Sequence, residues 1–183
     1  MKELVQDRRL SLKSYDVGNN RILIEGTLTD NNFRIKKHEP PTDARLIHHM
    51  VVRLKVRGPK MVIEEAEAEM FHYPREQCPV VLPWIKRLEG LRVVAGFTMK
   101  VKETIGYEKG CSHLASLVIS MGPAAVQGYM AAYGVDREKM RLKEAAMRNI
   151  VNTCYLWRED GPLVAGLGNA DKAESPADGG GEA

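Results

Sequence analysis

Through Phe71 the apolar residues of this chain fall at every second position, and beyond Cys78 they fall at helical spacing. A chain patterned in this way lays down strands first and then covers one face of them with helices, which predicts an α+β fold. Between Arg9 and Asp16, Leu10 and Leu12 oppose Ser11 and Lys13; between Arg21 and Thr29, Ile22, Ile24 and Leu28 oppose Glu25 and Thr27. The turn formers Asp16-Val17-Gly18-Asn19-Asn20 join the two runs into a hairpin. From Ile47 to Arg57, His48, Met50, Val52, Leu54 and Val56 share the face expected to be buried, while His49, Val51, Arg53, Lys55 and Arg57 share the other. After Gly58-Pro59-Lys60, the set Val62, Ala66, Ala68 and Met70 opposes Glu65, Glu67 and Glu69, which completes an antiparallel sheet of about four strands.

The polar stretch 30–45 carries Pro40-Pro41 and reads as a long surface connection. Cys78-Pro79 opens a short helix over 80–88 that Gly90 stops, and Phe97, Val101 and Ile105 favour a helix within 94–105. Leu114, Leu117, Val118 and Met121 follow Gly110-Cys111-Ser112-His113 at helical spacing, with Gly122-Pro123 expected to kink the run before a second segment to Tyr133. Asp136 caps an expected last helix running to about Val151. The half after the sheet is thus mainly helical. Residues 1–165 read as one domain, and 166–183, almost without large apolar residues, as a disordered tail.

A length of 183 residues leaves room for one domain with a tail and not for a large multidomain enzyme. The net charge of +3 gives no argument for a nucleic-acid partner. No apolar run reads as a membrane helix and no signal-peptide core follows Met1, so the expected setting is cytoplasmic, without membrane association. A protein partner or a homo-oligomer fits the composition. The patterns GxGxxG, Walker A, GxSxG and HExxH are all missing, which argues against the usual nucleotide-cradling, serine-hydrolase and zincin chemistries.

The chemistry that remains rests on cysteine and histidine. Cys78 and Cys111 each precede an expected helix, where free N–H groups and the positive end of the helix dipole favour a thiolate, the form that attacks or ligates. His48 lies on the buried strand face, and His113 follows Cys111 by two positions. A set of His48, Cys78, Cys111 and His113 suits zinc, iron or an iron-sulfur cluster, although Cys78 and Cys111 are 33 positions apart and match no zinc finger. The competing reading for each is ordinary: cysteine is a common core residue, and a buried histidine often has only a structural hydrogen bond. Cys154, beside Tyr155 and Trp157, reads as a core cysteine; His38, His49 and His72 read as solvated. A second functional class is a thiol-dependent enzyme acting on an acyl or thioester substrate. There Cys111 is the nucleophile and His48 the expected base, since residues two apart on a helix do not face each other. A third is an interaction module with core cysteines.

Arg8-Arg9, Glu25 to Asp30, Ile47-His48-His49-Met50 and Gly110 to Leu114 together resemble a bacterial domain-of-unknown-function family over about residues 5–163, with His49 standing where that pattern has an acidic residue. A looser resemblance joins Cys78, Trp84-Ile85-Lys86 and Cys111-x-His113 to the U-type iron-sulfur cluster scaffold proteins. It implies a scaffold-like fold in which Cys78 and Cys111 match two of the family's three cysteines, His113 stands near its histidine, and His48 replaces the first cysteine.

Overall fold

The computed structural model describes residues 2–33, 44–133 and 151–167. Four strands, β1 (Gln6–Asp16), β2 (Arg21–Asn32), β3 (Arg45–Arg57) and β4 (Val62–His72), form one antiparallel sheet in sequence order. A 3-10 stretch (Cys78–Leu88) follows, then helices α1 (Phe97–Ile105), α2 (Ser112–Tyr133) and the short α3 (Pro162–Leu167). The α+β architecture is the one the change of period predicts. The segment 80–88 is helical in the tighter 3-10 form, with Pro83 inside it removing an amide donor that an α-helix would use.

The core lies between one face of the sheet and the helical layer. Ile22, Ile24 and Leu28 of β2 and Met50, Val52, Leu54 and Val56 of β3 meet Leu117, Val118 and Met121 of α2, with Val101 and Ile105 of α1 alongside. Each such side chain contributes about 1.5–3 kcal/mol by leaving water. Gly26 lies under α2, where Met121 and Leu117 fill the space a β-carbon would need. The other face is wet and carries ion pairs: Arg53 with Glu25 and Glu69, Lys55 with Glu65, and Arg21 with Glu64. At the far end of α2 the Tyr133 hydroxyl donates to Asp16; burial first, and that bond second, push its pKa up to about 12.

Three expectations need correction. Val62 is not the inward residue that opens β4: Glu64 bulges between Lys55 and Val56, so Ile63 faces Val56 and is fully buried. Helix α2 is one element, with Pro123 inside it and not between two segments. By length and composition it could cross a membrane, but Leu114, Leu117, Val118, Met121 and Ala125 are buried in the core. Cys154 is exposed and not a core residue. The expected helix 136–151 falls, apart from its last residue, outside the described residues, as do His38, the centre of the 30–45 connection and the tail from 168 onward.

Candidate functional site

The site begins as a row across three strands. Arg8 stands opposite Asp30 in the β1–β2 register, and Asp30 opposite His48 in the β2–β3 register. Side chains directly opposite on one face of a sheet touch, and these three share the helix-facing side. The Arg8 guanidinium donates to both carboxylate oxygens of Asp30, Nε to Oδ1 at 2.6 Å and Nη2 to Oδ2 at 2.7 Å. His48 Nδ1 lies 2.8 Å from Oδ2. Asp30 is 1% exposed, and the Arg8 bonds first, then His48, hold its carboxyl below the ordinary range. An ionised carboxylate only accepts, so the proton of this bond is on Nδ1 of His48. In the neutral ring Nε2 is then the free lone pair.

Two bulges bracket the row. Ile47 is the extra residue on β3 between Asp30 and Asn31, and Phe71 the extra residue on β4 between His49 and Met50. Bulges turn neighbouring side chains and end regular pairing. His49 points to the opposite face and packs its ring on Phe71, half-buried, with 5.0 Å between centroids. His72 ends β4, exposed, opposite His49.

Helix α2 supplies the other half. Gly110 passes so close to the end of α1 that a β-carbon there would lie 2.2 Å from the Ile105 carbonyl oxygen. That close approach delivers Cys111 to the position before the helix, where its carbonyl accepts the Ala115 N–H at 2.9 Å. His113, in the first turn, stacks on His48 with ring centroids 3.9 Å apart and planes tilted by 34°. Its Nε2 is 3.8 Å from Asp30 Oδ2, and its Nδ1 is 3.7 Å from Cys111 Sγ. Burial first, then the nearby His48 and Arg8, lower the His113 pKa, against the opposing pull of Asp30. This lowering favours the neutral ring, the form that accepts a proton or a metal.

Of the four expected site residues, the structure brings His48 and His113 into contact and Cys111 beside His113. Among the described residues, Asp30, His48 and His113 can present ligand atoms within 4.8 Å of one another, and neither Cys78 nor Cys111 is in that group. Asp30 and Arg8 join the site without having been expected there. Both lie in the stretches that carry the family resemblance, and Asp30, which reads as the start of the surface connection, continues the alternation of Ile22, Ile24, Gly26 and Leu28 by one more step; these are the signals that point to it. The expectation that His113 cannot face Cys111 fails because Cys111 precedes the helix and escapes its geometry. A separate cleft of about 750 Å³ lies against α2, lined by residues including Phe97, Val126, Met130, Cys154 and Trp157, and contains none of the site's side chains.

No curated protein and no solved structure matches the chain. A family model described as a protein of unknown function, DUF2889, matches residues 6–127, a span that runs from β1 into α2 and contains Arg8, Asp30, His48, Cys111 and His113. The chain belongs to the DUF2889 family.

Proposed function

We propose that this is a metal-binding protein, with zinc or iron held by His48, His113 and Cys111 and with Asp30 as the group that orients them. The observation that carries the reading is the convergence of Asp30, His48 and His113 within 4.8 Å, two of them buried; Cys111 lies outside that group and would join it through its approach to His113. Both oxygens of Asp30 are engaged by Arg8, so its part is the outer one: a carboxylate that fixes the histidine tautomer, as is usual behind metal-bound imidazoles. At tetrahedral zinc, bonds of about 2.3 Å to sulfur and 2.0 Å to nitrogen put the two donors roughly 3.5 Å apart. The observed Cys111 Sγ to His113 Nδ1 distance of 3.7 Å agrees with that. One thiolate and two imidazoles favour a mononuclear ion over an iron-sulfur cluster, which takes several thiolates. Three protein ligands leave a fourth position for water or substrate, the arrangement of catalytic and not of closed structural zinc sites.

The contact between Cys111 and His113 also favours a second reading, a thiol enzyme in which neutral His113 is the base for Cys111. Elemental analysis and a visible spectrum of anaerobically purified protein separate the two. One zinc or iron per chain supports the metal reading. Metal-free protein whose Cys111 alkylates with iodoacetamide much faster than Cys154 supports the thiol reading and sinks the first.

A further inference from the structure

We propose that the chain pairs with a second copy of itself through the free edge of β1, antiparallel, with Leu10 opposite Leu10 on the two-fold axis. The two edges of the sheet are built differently. Along β4 the segment after the 3-10 stretch covers the first half of the edge: Ile63 donates to the Leu91 carbonyl at 2.9 Å, Gly90 to Ile63 at 2.8 Å, and Glu89 accepts the Ala66 N–H. Along β1 there is no such cover among the described residues. The strand runs 11 residues without proline and pairs with β2 without a bulge, and nearly all of its residues are exposed. Such an edge is a template for another strand.

The alternation of peptide groups fixes which of them are offered. The Val5 carbonyl accepts from Phe33 and the Val17 N–H donates to Arg21, so odd-numbered residues bond toward β2 and the groups of Arg8, Leu10, Leu12 and Ser14 point outward. A two-fold axis at Leu10 makes Leu10 a hydrogen-bonded pair with its copy and covers side chains that are 42% exposed in the single chain. On the wet face the same register sets Asp7 opposite the partner's Lys13, and Lys13 opposite the partner's Asp7, with Arg9 opposite the partner's Ser11. Asp7 already holds Arg9 within its own strand at 2.7 Å, so the partner's Lys13 adds to an acidic position that is preformed. An axis at Ser11 would place Arg9 against the partner's Lys13, and an axis at Arg8 would stack the two guanidinium groups; like charges directly opposite are destabilising. The charge pattern therefore favours a second copy in this register over one at either of those two axes.

Sedimentation equilibrium of the full chain tests this. The wild type is expected to be a concentration-dependent dimer. Leu10→Pro removes an outward N–H that β2 does not use and is expected to give a folded monomer. Asp7→Lys and Lys13→Asp are each expected to raise the dimer dissociation constant at least about tenfold, and an equimolar mixture of the two to dimerise again, because each then faces an opposite charge. Recovery in the mixture also shows that both variants fold. A wild type that stays monomeric at all concentrations, or a dimer unaffected by Leu10→Pro and Asp7→Lys, overturns the proposal.

Discussion

His48 Nδ1 sits 2.8 Å from Asp30 Oδ2, and the two residues are exact cross-strand neighbours on β2 and β3. One contact thus joins the fold to the chemistry: the sheet register that buries the core also sets the tautomer of the histidine. Arg8, one strand further out, completes the row and keeps Asp30 ionised.

Replacing Asp30 by Asn leaves Arg8 without its carboxylate and removes the acceptor that fixes His48. The expected loss is about 2–4 kcal/mol of unfolding free energy, tempered by the partial exposure of Arg8, and roughly a 10–100-fold fall in zinc affinity. Urea titration and a zinc competition assay measure the two separately. Unchanged affinity in Asp30→Asn would remove the orienting role.

Acid should destabilise the chelator-treated protein in two pH windows. Both His113 and Asp30 have pKa values lower in the folded chain than in the unfolded one, so the unfolded state binds protons first as the pH falls. The His113 contribution is complete above its unfolded value of about 6.5 and is lost as the pH drops through its folded value; that of Asp30 is complete above about 4 and is lost below. Urea midpoints from pH 8 to pH 2 should decline, and His113→Gln should flatten the part of the curve above about pH 4 only.

The β-patterning that predicts the sheet also places His48 on the inner face, and this much was legible because alternation is a local property. Asp30 was not, since a polar Asp-Asn-Asn stretch looks like loop when read residue by residue, and only the bonds from Arg8, itself partly exposed, make an inward, buried Asp tolerable. The position of Cys78 depends on where the chain runs after β4, which period and composition do not encode. Accordingly Cys78→Ala is expected to keep its metal, whereas Cys111→Ser is expected to weaken binding; equal losses from the two variants would restore the four-residue set expected from sequence.

Two glycines of the core should differ sharply. A β-carbon at Gly58 would lie 2.0 Å from the Tyr129 ring, which is fully buried, so Gly58→Ala is expected to cost about 3 kcal/mol or more. At Gly26 the nearest atom, 2.8 Å away, is the sulfur of Met121, a flexible side chain that can move, and the expected cost is about 1 kcal/mol. Thermal denaturation of both variants checks the order.

Zinc titration of the chelator-treated full chain by calorimetry, run beside the His48→Ala and His113→Ala variants, reads the metal centre itself. The expected result is one site per chain in the wild type, lost in both histidine variants and retained in Cys154→Ala. Absence of binding in the wild type, or a site that survives the loss of His48 and His113, would contradict it.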